Sequence, residues 1–134
     1  MERRQRDLVL ITARAFATKL AMPTLIADAD GDLVYFNEAA AAVLGSSLTD
    51  VDELPASRWT ELFATETLDA EPLPLEKLPP GIALLEGRPA HDSLAMVGLD
   101  GVRRQVAVTA FPLLSHPDEL VGIMAIFWEL PAAT

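Results

Sequence analysis

The chain has 134 residues, of which 51% are hydrophobic, enough apolar material to close one core, and a formal charge of -10. It contains no cysteine, which excludes disulfides, thiolate metal sites, a Cys nucleophile and photochemistry through a cysteinyl adduct, and which fits a reducing compartment. Residues 1–20 hold five basic and two acidic side chains, net +3, and the remainder holds 5 basic and 18 acidic, net -13, so the acidic body disfavours a phosphate backbone and no nucleic-acid partner is expected.

The opening segment MERRQRDLVLITARAFATKLAM begins basic and continues apolar. Arg14 and Lys19 interrupt its apolar part and no small-residue cleavage site follows, so it reads as an amphipathic helix over residues 1–21 and not as a targeting signal. Val9, Ala13, Phe16 and Leu20 recur at spacings of four, three and four and form one apolar stripe; Leu8, Ile11 and Ala15 form a second beside it. Pro23 marks the exit, because the residue before a proline is pushed out of the helical region. No apolar run reaches the roughly 20 residues that span a bilayer, the strongest being VGIMAIFW, and a cytoplasmic chain with no membrane span is expected.

Thr24 to Ala29 and Leu33 to Phe36 predict a hairpin turning on Asp30-Gly31. Asn37 then stands where a side-chain oxygen caps the helix Glu38–Leu44, and Gly45 where such a helix ends. Asp28 is placed to bond the turn amides. After the polar stretch Ser46 to Pro55, Ser57 predicts the cap of a short helix carrying Trp59, Leu62 and Phe63. LDAEPLPLEKLPPGIALLEGRP is a proline-punctuated connection with one short helix, Pro80 in its first turn and Gly87 past its end. Ser93–Leu99, Asp100-Gly101 and Val102–Leu114 predict a second hairpin, and Leu120–Leu130 a last strand after the turn at His116-Pro117-Asp118-Glu119. On that strand Val121, Ile123, Ala125 and Phe127 share one face and Met124, Ile126 and Trp128 the other. Both faces are apolar, so both need a cover: the central helices on one side, and the N-terminal helix, a partner chain, or both on the other.

Strand, Asp-Gly turn, strand, Asn-capped helix, short helices and three antiparallel strands is the order of a PAS domain. The run PTLIADADGDLVYFNEAA (Pro23–Ala40) resembles the opening of that family, with Asp28, Gly31 and Tyr35-x-Asn37 of the residue types it favours. LPPGIALLEGRP (Leu78–Pro89) is similar to the central helix of many bacterial members that ends in Gly-x-Pro. DGVRRQVAVTAFPL and LVGIMAIFWEL (Asp100–Leu113, Leu120–Leu130) look like its closing strands. The resemblance covers residues 22–130 and implies an α+β fold: about five antiparallel strands, short helices on one face and an N-terminal flanking helix, with 131–134 as a tail. It implies a sensory or regulatory module of a bacterial signalling protein, handing its signal to an output domain or partner that this sequence does not identify. Family members bind haem, flavin, small acids, lipids or nothing, so the ligand has to be argued from the pocket.

Neither a glycine-rich phosphate loop nor a nucleophile elbow occurs, and with two histidines and no cysteine a metal site would need carboxylates, which lack paired spacing. No metal site and no catalysis are expected. His91 follows the central helix, where haem-binding relatives place an axial histidine; set against that, a lone histidine at a helix–strand junction reads as a surface side chain. Haem and non-covalent flavin are therefore not expected as cofactors. Arg103 and Arg104 point to opposite faces of their strand, one of them able to meet an acidic ligand or pair with Glu129. The expected pocket is apolar: Phe36, Ala40, Val43, Leu84, Met96, Val106, Val108, Met124 and Ile126, suited to an aliphatic ligand such as a fatty acid. Val9, Ala13, Phe16 and Leu20 are the expected homodimer contact, with Arg4, Arg6 and Arg14 near the partner's acidic body, while Leu8, Ile11 and Ala15 cover the sheet. The rival readings are a ligand-free interaction scaffold of the same fold, a haem or flavin sensor, and a small cavity enzyme.

Overall fold

Six strands form one antiparallel sheet in the computed structural model, which describes residues 2–44, 64–97 and 101–131. In chain order the elements are α1 (Glu2–Thr18), β1 (Thr24–Asp28), β2 (Leu33–Phe36), α2 (Glu38–Leu44), β3 (Ala64–Glu66), a 3-10 turn (Leu75–Lys77), α3 (Pro79–Glu86), β4 (Ala90–Val97), β5 (Arg103–His116) and β6 (Glu119–Glu129). The strands lie side by side as β2-β1-β6-β5-β4-β3, so the first hairpin docks on the last strand and β2 and β3 are the two edges.

The expected α+β class holds, with one strand more than expected. β3 has three residues, too few to show an alternation, and it is held by pairing Ala64–Glu66 with Ala95–Val97 on β4. The chain then doubles back, Leu73 N–H donating to the Thr65 carbonyl at 3.0 Å. A second difference is the start of β4 at Ala90, which puts His91 inside a strand. The capped helix expected at Ser57 with Trp59, Leu62 and Phe63, the polar stretch before it and Gly45 lie outside the described residues.

The first hairpin follows its sequence signals closely. Asp28 Oδ1 accepts from the amides of Asp30 (2.9 Å) and Asp32 (3.1 Å), and Gly31 adopts φ 86°, where a Cβ would be strained. Asn37 does more than cap. Its Oδ1 accepts from Ala40 N–H at 2.9 Å in the first turn of α2 and from Thr24 N–H at 3.1 Å, while Nδ2 donates to the carbonyls of Ala17 (3.1 Å) and Met22 (2.9 Å). One buried amide side chain thus joins the end of α1, the start of β1 and the start of α2. At the other helix signal, Gly87 takes φ 67° and its N–H closes α3 on the Ala83 carbonyl, the C′ role expected of it.

Strand alternation sends side chains to two separate cores. The inner core, under α2 and α3, contains Leu25, Ala27, Leu33, Ala40, Leu78, Leu94, Met96, Val106, Val108, Ile123, Ala125 and Phe127. The outer core is smaller: Ala13 and Ala17 of α1 pack on Ile26 and Met124, flanked by Leu10, Val34, Tyr35, Phe111, Leu113 and Ile126. Both faces of β6 are covered as its composition requires, the outer one by α1.

The α1 stripes do not divide between sheet and solvent as expected. Ala13, from the stripe assigned to a dimer, is buried on the sheet at 6% exposure, and Val9 and Leu20 are half-buried, whereas Leu8 (56%) and Ile11 (62%), assigned to the sheet, face outward with Ala15. Phe16, on the flank, is 55% exposed as its dimer role needs. The physical reason is size: Ala13 and Ala17 lie one turn apart on one face and let the helix axis approach the sheet more closely than leucines would allow. Arg14 is held locally, its guanidinium 4.9 Å from the centre of the Tyr35 ring.

Candidate functional site

The inner core is not completely filled. A cavity of about 60 Å³ lies between the sheet and the start of α3, lined by Leu25 of β1, Thr65 of β3, Leu94 and Met96 of β4, Val106 and Val108 of β5, Ala125 and Phe127 of β6, and by Leu78 and Pro80. It forms where α3 begins with Pro79-Pro80, rings that fit a first helical turn but are stiff and cannot reach into the sheet as a Leu or Met would. Its wall is apolar, since the Thr65 hydroxyl is turned to the Leu73 carbonyl at 2.8 Å. An apolar space of this kind stays dry, because a water inside it would find no partners.

Of the residues expected to form a pocket, Met96, Val106 and Val108 line this cavity. Phe36, Ala40, Val43 and Leu84 belong to the same inner core without lining it. Met124 and Ile126 do not belong there at all: they lie on the outer face beneath α1. The correction follows from register. β5 and β6 meet through His116↔Glu119, and two bulges between Leu113 and His116, one on each strand, cancel, so that Val108 pairs with Phe127 and Val106 with Glu129 and the odd-numbered residues of β6 share a face with the even-numbered ones of β5. That turn is visible in the sequence, and counting back from it finds Ala125 and Phe127 in place of Met124 and Ile126. Leu25, Leu78, Pro80 and Leu94 were legible only as core, and Thr65 carried no signal.

His91 faces away from the cavity. It is exposed on the outer face, stacked on Trp128 with ring centres 5.9 Å apart, and the other histidine, His116, is exposed in the β5–β6 turn region. Among the described residues no histidine lines the cavity. Arg103 and Arg104 separate as expected: Arg103 Nε lies 3.8 Å from Glu66, and Arg104 Nε 3.3 Å from Glu129 on the inner face. Asp28, Asp30 and Asp32 bring carboxylate oxygens within 4.8 Å of one another, a proximity that the hairpin turn itself explains through the amides bound to Asp28. No described helix is long and apolar enough to cross a membrane.

No protein-family model matches the sequence, and neither does any curated protein. Solved structures do match over most of the chain. The PAS domain of the nitrogen regulation protein NR(II) from Vibrio parahaemolyticus is 20% identical with a TM-score of 0.61, covering 88% of this chain and 97% of that one. The LOV domain of a blue-light activated histidine kinase from Erythrobacter litoralis is 19% identical with a TM-score of 0.65, covering 85% and 100%. The PAS domain of the fruit-fly ELK potassium channel reaches a TM-score of 0.70 at 13% identity, covering 90% and 96%.

Proposed function

We propose that this chain, which has the PAS fold, is a sensory module of a bacterial signalling protein that takes up a small apolar group in its inner core and works as a homodimer, without catalysis of its own. The observation that carries the reading is the apolar cavity of about 60 Å³ between α3 and the sheet. The neighbours from NR(II) and from a histidine kinase support a signalling setting, since both come from regulatory proteins. The lining supports binding over catalysis: a reaction needs polar groups converging on the reacting atoms, and the cavity wall has none.

Size narrows the ligand. An engineered apolar cavity of about 150 Å³ takes up a benzene ring, so a cavity of about 60 Å³ holds a group of a few carbons and not a flavin ring or a haem. A long fatty acid would need the α3 side to move outward. The outward face of α1, with Leu8, Ile11 and Phe16 exposed, supports association with a second copy through a two-fold contact, because apolar side chains in that number on one helix gain by leaving water.

Native mass spectrometry and an absorption spectrum of the purified full chain test the reading together. The expected result is a colourless dimer whose main near-ultraviolet absorbers are Trp59 and Trp128. A Soret or flavin band that survives purification overturns the ligand class, and a monomer with nothing bound, unresponsive to small apolar probes, favours the ligand-free scaffold.

A further inference from the structure

Thr65 is the one lining residue of the cavity with a polar side chain; the others are aliphatic, aromatic, proline or methionine, and no polar atom faces the space. Thr65 reaches this face because it pairs with Met96 in the short ladder between β3 and β4. Its hydroxyl is withdrawn from the cavity by the chain that doubles back past it. Oγ1 donates to the Leu73 carbonyl at 2.8 Å, and the Leu73 N–H donates to the Thr65 carbonyl at 3.0 Å. Both backbone groups of Leu73 are thus engaged by Thr65, while the Leu73 side chain packs against the inner core.

Resting on the reading of the cavity as a ligand site, we propose that the ligand is a neutral hydrocarbon of about three carbons with no hydrogen-bonding group, and that Thr65 sets this specificity by keeping its hydroxyl and the Leu73 carbonyl bonded to each other. Size fixes the number of carbons, judged against the benzene-sized space above. Polarity fixes the class. A hydroxyl, amine or carboxylate carried into this space gives up its water and finds no partner on the wall, a penalty that outweighs what a few carbons gain. The nearest acceptor behind the wall is the Leu73 carbonyl, and an incoming donor would compete there with a hydroxyl that β3 already holds at bonding distance. A hydrocarbon meets no such competition and gains contact with every side chain around it.

The test is a titration of the full chain with propane and with ethanol, which replaces one methyl of propane by a hydroxyl, followed by methyl NMR shifts at Leu94, Met96, Val106 and Val108. In the native chain propane shifts these methyls and ethanol binds at least about tenfold more weakly, the size expected for one unpaired buried hydroxyl. Val108→Ile adds a methyl to the wall and weakens propane severalfold, which places the probe in the cavity. Thr65→Ala uncovers the Leu73 carbonyl and narrows the gap between the probes at least about threefold, whereas Thr65→Val, which puts a methyl where the hydroxyl was, leaves the gap within about twofold. If the native chain binds both probes alike, the proposal is wrong while the cavity reading stands. If Thr65→Ala leaves the gap unchanged, Thr65 does not set the specificity. If propane shifts none of these methyls, the proposal falls together with the cavity reading on which it rests.

Discussion

The two faces of the sheet are built from the same strands and are covered in opposite ways. The inner face is covered by short helices from the middle of the chain, and its core runs across β1, β6, β5 and β4. The outer face is covered by a single helix, α1, which buries two alanines on Ile26 and Met124 and leaves Leu8, Ile11 and Phe16 in water. The inner face leaves a small apolar space, while the alanines of α1 let helix and sheet touch on the outer face. Because β6 contributes side chains to both cores, a change of strand packing on the inner face reaches the contact with α1.

Neighbouring residues of β6 test that contrast with the largest expected effect. Phe127 is 3% exposed and lines the cavity, so Phe127→Ala removes a fully packed ring and enlarges a space that already exists, at about 3–5 kcal/mol. Ile126 is half-buried under α1, and Ile126→Ala costs about 1–2 kcal/mol, since α1 can settle onto the shorter side chain. Urea unfolding of the two variants measures the difference. Equal losses would mean that the outer core is as rigid as the inner one.

Gly122 marks the place where β6 leaves least room. It pairs with Asp28, and a Cβ on it would collide with the Ala27 carbonyl in the adjoining strand, which carries a bulge between Ile26 and Ala27. Backbone cannot give way as a flexible side chain would, so Gly122→Ala is expected to cost about 2–3 kcal/mol by separating the first hairpin from the sheet. Thermal unfolding reads the loss, and loss of amide protection confined to β1 and β2 locates it.

Asn37 joins the two faces, and its variants divide them. Asn37→Ala leaves the amides of Thr24 and Ala40 and the carbonyls of Ala17 and Met22 without their partner, an expected loss of about 2 kcal/mol. Asn37→Asp keeps the acceptor that caps α2 but turns an oxygen toward the two carbonyls at the end of α1. Hydrogen exchange should then show α2 retained and α1 released. Equal loss of protection in both helices would show that Asn37 acts only as a cap.

How much of this was legible in the sequence depended on what fixes each feature. Asp28 and Asn37 act through their own side chains and Gly31 and Gly87 through their own backbone angles, and their types and spacing announced the turn, the cap and the helix end. The α+β order followed from those marks and from the change of period near residue 90. Which face a strand residue occupies is a property of register, and register is set by the turns. The β5–β6 turn at Pro117-Asp118 held the information that separates Phe127 from Ile126. The β4–β5 connection misleads: a two-residue turn on Asp100-Gly101 would pair Leu99 with Val102, whereas Val97 pairs with Arg103 and five residues, 98–102, lie between. The difference shifts the register by one and moves Met96 from facing Gln105 to facing Arg104, which is what puts Met96 on the inner face with Val106 and Val108. The stripe that α1 buries was hidden for another reason, since alanines at Ala13 and Ala17 attract less attention than Leu8 and Ile11 and yet win the sheet through close approach.

The smallest effect on the fold is expected on the outward side of α1, and it carries the largest consequence for assembly. Leu8 and Ile11 touch little in the protomer, so Leu8→Glu with Ile11→Glu should change the unfolding free energy by no more than about 0.5 kcal/mol. Ala13→Glu, in contrast, drives a carboxylate into the α1–sheet contact and should cost about 2–3 kcal/mol. Sedimentation equilibrium of the first pair isolates assembly from stability: the native chain is expected to be a dimer at tens of micromolar, a concentration above typical dimer dissociation constants, and the Leu8/Ile11 double variant a folded monomer. A dimer that survives both substitutions would place the second copy elsewhere, on the part of the outer face that α1 leaves to His91 and Trp128. A native chain that is already monomeric would reduce α1 to a lid on its own sheet, and the contrast between the two faces would then concern packing alone.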